Sequence, residues 1–310
     1  MRAWLVLIAA GCGDTPVVTD SGADDVVVQD SPAVDASEEA EAASDAAAEA
    51  DAQKPTGTII RIMSANITSG TKQAYEDPGI RIFQGLKPDV VLIQEFNYAT
   101  GQRALVDAAF GQSFSYFVEP SGNIPNGIVS RFPILSSGTW VDASTVDRGF
   151  AWALIDLPGT TDLFAVSLHL LTSGVTQRDT EAKQVVSYVQ QNAPAGVYIA
   201  IGGDLNTDST SESAITDLGA VVVVTAPYPM DQNGNTNTST NRNRPHDWVL
   251  VDPTLQAHMV ATWQGNSIYA PGLVFDSRVY TPLAEVAPVL ATDSAEPGMQ
   301  HMPVVRDFAF

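Results

Sequence analysis

The stretch 197–208, Val-Tyr-Ile-Ala-Ile-Gly-Gly-Asp-Leu-Asn-Thr-Asp, constrains this chain more than any other. An apolar run of this kind is a buried strand, and side chains two apart on a strand share a face. If the strand continues past Gly203, Asp204 and Asn206 project together from its carboxyl end while Leu205 returns to the core. A carboxylate and an amide side by side can orient a water and hold a phosphoryl oxygen. The two glycines let a substrate approach the backbone. Taken alone, the same residues also read as an Asx-type turn after a buried strand.

The 310 residues are 45% hydrophobic, enough to bury a full core. Net charge is −21, unevenly spread. Residues 13–57 hold twelve acids and one base, Lys54, and contain no aromatic residue. Such a segment repels itself and has too little apolar area to offset chain entropy, which predicts a disordered acidic tether. Residues 58–310 carry thirteen bases and twenty-four acids, with no strong basic stripe of the kind nucleic-acid binders show. Cys12 is the only cysteine, so no intrachain disulfide forms. The opening Met-Arg-Ala-Trp-Leu-Val-Leu-Ile-Ala-Ala-Gly-Cys12 resembles a bacterial lipoprotein signal. That resemblance implies a signal segment 1–12, lipidation at Cys12, and an exported protein anchored in the cell envelope or secreted. The run is too short to span a bilayer.

From Thr58 the texture changes. Strands are expected at 58–65, 89–94, 113–119, 127–135, 150–157, 162–170, 246–251 and 302–308, and helices at 76–87, 101–110 and 177–191. Pro158-Gly159 marks a hairpin, and 265–299 is irregular and Pro-rich. Antiparallel hairpins alternating with outer helices predict an α/β fold of two packed sheets with helices outside.

Several of these strands end or begin in a polar residue that an apolar strand does not need. These are Asn66, Glu95, His169, the pair Asp204 and Asn206, Asp247 and His301. Each has a bland reading as a cap, a core histidine or a turn. Their joint placement at the ends of rigid elements favours a site.

The wording and order of these segments resemble the endonuclease/exonuclease/phosphatase superfamily, the DNase I-like group. The matching pieces are Arg61-Ile-Met-Ser-Ala-Asn66, Pro88-Asp-Val-Val-Leu-Ile-Gln-Glu95, Asn126-Gly-Ile-Val-Ser-Arg-Phe-Pro-Ile134, Leu168-His169-Leu170, Gly203-Asp204-Leu205-Asn206, His246-Asp247-Trp-Val-Leu-Val251 and His301-Met-Pro-Val-Val305. They run in family order from about residue 58 to residue 310. The resemblance implies a four-layer α-β-β-α sandwich of two mostly antiparallel sheets over 58–310. It also implies that Glu95 and Asn66 hold a divalent metal, Mg²⁺ first and Mn²⁺ or Ca²⁺ as alternatives. Asp204 then orients the attacking water or manages its proton, with Asn206 holding the water or the phosphate. His169 and His301 contact the scissile phosphate, and Asp247 fixes the tautomer of His301 and raises its pKa. Asn126 and Arg131 reach a phosphate or shape their strand, and for Arg131 the structural role is preferred.

One departure stands out: the family usually ends in Ser-Asp-His, and here Met299-Gln300-His301 occurs. Gln300 is then a weaker metal ligand, or Asp276 or Asp293 substitutes from 265–299, which resembles an insertion. The implied activity is metal-dependent hydrolysis of a phosphodiester. A nonspecific endonuclease is favoured by the Asp247-Trp-Val-Leu-Val run and by Arg242 and Arg244. A sphingomyelinase or phosphoinositide-type phosphatase, and a catalytically impaired surface lipoprotein, are the alternatives. A nucleic acid is the preferred substrate and a lipid the second. Membrane contact is expected only through the anchor, and the protein is expected to be a monomer.

Overall fold

The computed structural model describes residues 54–67 and 76–310. The expected signal segment with Cys12, and the tether from 13 to 53, lie outside the described residues.

The first described element is β1 (Ile59–Ala65), formed where the acidic sequence gives way to alternating apolar residues. α1 (Glu76–Leu86) buries Ile82, Phe83 and Leu86 on one face and stops short of Pro88, whose ring disfavours helix in the residue before it. β2 (Val90–Ile93), α2 (Gln102–Ala109), β3 (Ser115–Val118) and β4 (Gly127–Ser130) follow. Next come β5 (Ile134–Trp140), β6 (Phe150–Ile155), β7 (Leu163–His169), α3 (Val175–Asn192), β8 (Tyr198–Asp204) and α4 (Ser213–Leu218). The chain continues through β9 (Asp247–Val251), α5 (Pro253–Gln256), β10 (Met259–Val260), β11 (Thr262–Gln264), β12 (Ser267–Tyr269), β13 (Leu273–Val274) and β14 (Val304–Ala309).

Two mixed sheets result. In one, β10, β14, β1, β2, β4 and β3 are neighbours in that order, with β13 also pairing β14; in the other the order is β5-β6-β7-β8-β9. Every pairing within these two sheets is antiparallel except β1–β2 and β7–β8. A parallel pair needs a crossover, and α1 and α3 supply the two crossovers. The sheets pack face to face, β1 on β8 and β9, β2 on β7 and β8, and β4 on β6 and β7. Ile82, Phe83, Leu105 and Val106 of α1 and α2 pack with the first sheet. Ala182, Val185, Val189, Ile215 and Leu218 of α3 and α4 pack with the second. Fully burying Val185 or Val189 stabilises the fold by roughly 1.5–3 kcal/mol each. These are the four layers expected.

One element differs from expectation. Residues 127–135 are not one strand. Arg131-Phe132-Pro133 interrupts them, and β4 and β5 belong to different sheets. Proline cannot donate to a ladder, so the chain leaves the first sheet there and enters the second. The irregular 265–299 region carries the β11–β12 hairpin partner, β13 and two 3₁₀ turns. No helix among the described residues is long and apolar enough to cross a membrane.

Candidate active site

The site is built from strand ends that the two-sheet stack brings to one edge. β1 and β2 deliver Asn66 and Glu95; β7 and β8, paired in parallel register, set His169 beside Asp204; β9 pairs Asp247 with Asp204. A buried amide ties the two sheets directly beneath, because Gln94 Nε2 donates to Ser167 Oγ at 2.9 Å. Gly203 is required at its position. Its φ is +138°, and an added Cβ would lie 1.9 Å from the Leu168 carbonyl oxygen.

β8 ends at Asp204 rather than continuing, and Asn206 takes φ +51°. The Asn206 N–H donates to Asp204 Oδ1 at 3.0 Å, so an Asx turn forms. The turn and the site are the same object. Asn206 Nδ2 then reaches the Leu170 carbonyl at 2.9 Å, which turns the amide toward His169. Glu95 also has φ +51°. Asparagine tolerates that region, but for glutamate it costs on the order of 1–3 kcal/mol, a strain characteristic of functional positions.

Three side-chain nitrogens converge on one oxygen. Asp204 Oδ2 lies 3.0 Å from Asn66 Nδ2, 3.4 Å from His169 Nε2 and 3.3 Å from His301 Nε2. Asn66 Nδ2 also lies 3.3 Å from Glu95 Oε1. His301 Nδ1 meets Asp247 Oδ2 at 3.0 Å, the pairing expected from the sequence. All of these side chains except Glu95 are less than a tenth exposed. Asn66, Glu95, His169, Asp204, Asn206, Asp247 and His301 therefore occupy one constellation.

Burial alone would lower the His301 pKa, but Asp204 and Asp247 outweigh it and hold the imidazolium up to about 10. Asp247 is raised to about 6 by burial, partly offset by His301, so the shared proton resides on the imidazole. Asp204 is lowered overall. Burial would raise it, yet His301 and the other donors around it prevail. His169 falls to about 3, chiefly through burial, and is neutral. Glu95 is raised by burial, against Asn66 and His301. A resident cation would offset the burial that raises Glu95.

The donor set fits such a cation. Asn66 spends its amide hydrogens on Glu95 and Asp204, and its Oδ1 and the Glu95 carboxylate are oxygen ligands of the kind a hard divalent ion takes. Asp204, His246 and His301 offer a second grouping, with one ligand atom from each, all within 4.8 Å of one another. His246 was not singled out in the sequence, because it reads as a strand-leading residue next to Asp247.

A second ring, of which only Asn126 stood out in the sequence, holds His169 in place. Arg148 donates to the carbonyls of His169 and Leu170. Glu119, raised to about 7 by burial, accepts the N–H groups of Asn126 and Gly149. Asn126 Nδ2 closes the loop on the Gly149 carbonyl at 2.8 Å, so Asn126 shapes the backbone. Arg131 pairs with Asp89 at 3.0 Å and lies over Phe132, which is the structural role preferred for it.

Outside this floor opens a cleft of about 600 Å³, lined in part by Thr172, Asp208, the 239–244 loop, His246, Gln300 and His301. Gln300 is exposed there, and its carbonyl holds the Thr240 N–H at 2.8 Å. Asp276 and Asp293 do not substitute for it. Asp276 is consumed by Arg242 and Arg278, each at 2.7 Å, and Asp293 by Arg81 at 2.6 Å. Arg242 is likewise an internal residue, held by Asp231 and Asp276, while Arg244 is exposed and pairs with Asp208 at 2.9 Å.

The model of the Endonuclease/Exonuclease/phosphatase family matches residues 77–265, and the chain belongs to that family. Its members are hydrolases that act on phosphoester bonds and usually depend on a divalent metal. Comparison with curated proteins gives no match. Among solved structures, an endonuclease/exonuclease/phosphatase from Bacteroides vulgatus is 17% identical over 82% of this chain and 99% of that one, with a TM-score of 0.58. A mannosyl-6-phosphatase from Bacteroides thetaiotaomicron is 15% identical over 81% and 100%, at 0.56. A humanized D. rerio TDP2 is 17% identical over 81% and 99%, at 0.53. At these identities the likeness is one of fold.

Proposed function

We infer that the chain is a metal-dependent phosphoric-ester hydrolase in which water attacks phosphorus in line with the departing oxygen. The observation that carries this is the convergence of Asn66, His169 and His301 on Asp204 Oδ2 beside Glu95. Glu95 and Asn66 would hold the divalent ion, with Mg²⁺ preferred for its oxygen ligands and Mn²⁺ or Ca²⁺ as substitutes. Bound there, the ion neutralises charge on the phosphate and the leaving oxygen. Asp204 is a poor proton acceptor, since its pKa is lowered; it aligns the attacking water instead. Asn206 positions the water or a phosphoryl oxygen. The His301 imidazolium, oriented by Asp247, and neutral His169 each offer an N–H to the equatorial oxygens, where charge builds. Gln300 is a peripheral ligand at most.

The endonuclease reading keeps Arg244 as its cation in the cleft, because Arg242 is engaged internally. Export, lipidation at Cys12 and a monomeric state complete the proposal, and Cys12→Ser should release the protein from membranes if the anchor exists. The test is incubation of the full chain with p-nitrophenyl phosphate, bis-p-nitrophenyl phosphate, plasmid DNA, RNA and sphingomyelin, each with Mg²⁺ or EDTA. Metal-dependent turnover of at least one is expected. Absence of turnover on all of them would overturn the hydrolase reading.

A further inference from the structure

We propose that the leaving group accepted by this cleft is a small, uncharged, hydroxyl-rich alcohol, so that the substrate is a monosaccharide or polyol phosphate monoester. The inference rests on the hydrolase reading above and specifies its substrate.

The argument begins with charge. Arg244 and Asp208 face each other at 2.9 Å and cancel, and Arg242 is turned inward onto Asp231 and Asp276. The cleft wall therefore brings no surplus positive charge. A polyanion is held by many cations along its backbone, and its affinity scales with the phosphates neutralised. Single-stranded nucleic acid also needs aromatic platforms on which bases stack. Among the described residues, the cleft lining contains no phenylalanine, tyrosine or tryptophan. Among the described residues the lining contains no aliphatic side chain to match an acyl chain or ceramide either.

What the wall offers is neutral hydrogen bonding. Thr172, Thr240, Asn241 and Asn243 present hydroxyls and amides around a volume of about 600 Å³. Small-ligand sites run to roughly 300–1,000 Å³, so a hexose phosphate fits without occupying a long groove. Hydroxyls and amides each donate and accept, and so match vicinal alcohols, which also do both. The wall is not a free loop. Ser239 forms an isolated antiparallel bridge with His301, and the Thr240 N–H is held by the Gln300 carbonyl. The Ser239 hydroxyl donates to Asn243 Oδ1 at 3.0 Å, and Asn243 is exposed in the wall. Recognition of the alcohol is thus tied to the segment that carries the phosphate-contacting histidine.

The reaction balances without a further reagent. The water oxygen bonds to phosphorus, the phosphorus–alcohol oxygen bond breaks, and a proton from the water ends on the departing alkoxide. The products are the free alcohol and inorganic phosphate.

The experiment measures kcat/KM of the full chain with Mg²⁺ on glucose 6-phosphate, myo-inositol monophosphate, p-nitrophenyl phosphate, plasmid DNA and sphingomyelin vesicles. At least one of the two polyol phosphates should exceed p-nitrophenyl phosphate by tenfold or more, despite its poorer leaving group. In Asn241→Ala and Asn243→Ala that ratio should fall at least fivefold, and in the double variant further. Turnover of p-nitrophenyl phosphate with DNA or sphingomyelin preferred over both polyol phosphates would overturn the inference and leave the hydrolase reading intact. An unchanged ratio in the variants would do the same. No turnover of any substrate would overturn both.

Discussion

The floor and the wall of the cleft are made on different principles. On the floor, Asn66, His169, Asp204, Asp247 and His301 are buried on strand ends, and each has its partner within 3.4 Å. In the wall, Thr172, Asn241, Asn243 and Arg244 are exposed on loops, and the loop between 239 and 244 is held from behind. That hold comes from Arg242, which itself sits at φ +56° between Asp231 and Asp276. Charge on the floor is concentrated in low dielectric, where it acts strongly on a phosphate. Charge in the wall is cancelled, which on the proposed reading leaves shape and hydrogen bonding to select the alcohol. On that reading the floor sets the rate and the wall the choice of substrate.

Four substitutions would break or sharpen that division. The largest effect is expected from Asp204→Asn, which should lower kcat on p-nitrophenyl phosphate by about 10²–10⁴-fold, comparable to the loss of a positioned proton-transfer or charge-stabilising group. A rate within threefold of the parent would remove Asp204 from the floor. Next comes Arg148→Met, which frees the His169 and Leu170 carbonyls. It should cost about 10–100-fold in kcat with a smaller change in KM, in line with the loss of a supporting partner behind a site ligand. Partial recovery in Arg148→Lys separates positioning from packing.

A smaller effect belongs to the wall. Asp276→Asn removes the charge shared by Arg242 and Arg278, and should raise KM for the preferred substrate by about 3–10-fold. Hydrogen exchange over 235–244 should quicken in the same variant, because local opening rises as buried pairing is lost. Unchanged exchange there would mean that the loop is held by its backbone alone.

The smallest effect is on stability and concerns Glu181. Its pKa is pushed up to about 8 by burial and by Asp142 beside it. A carboxyl raised above its unfolded value of about 4.5 contributes stability that is present below that pH and lost as pH rises through about 8. Glu181→Gln keeps the shape without the titration. It should match the parent at pH 5 and exceed it by about 3 °C in Tm at pH 9, read by thermal denaturation at both pH values. Parallel Tm curves for the two proteins would show that Glu181 does not hold this proton.

The floor was legible in the sequence because each of its residues interrupts an apolar strand at its end, and strand ends in stacked sheets meet at one edge. Asn66, Glu95, His169, Asp204, Asn206, Asp247 and His301 all converge as that logic requires. The family resemblance carried their order. Of the second ring only Asn126 was legible. Arg148 acts through backbone carbonyls, and no local pattern distinguishes an arginine that will grip a neighbouring strand from one facing water. Arg242 failed in the opposite direction. As a base in a polar loop it looked available to substrate, while its partners, Asp231 and Asp276, lie 11 and 34 residues away. The break at Arg131-Phe132-Pro133 was visible as a proline, but that the chain changes sheets there depends on tertiary pairing. His246 was masked by its neighbour Asp247, since a histidine opening an apolar strand has many ordinary uses.

The central claim is that the floor works as one unit, with the cation ligand Glu95 and the water-aligning Asp204 serving a single transition state. Residues acting together show grossly non-additive losses. The measurement is kcat for p-nitrophenyl phosphate in Mg²⁺ for the parent chain, Glu95→Gln, Asp204→Asn and the double variant. The account predicts that each single change is severe and that the double variant is no more than about threefold worse than the worse single. Independent losses that multiply in the double variant, or a parental rate in either single variant, would contradict it.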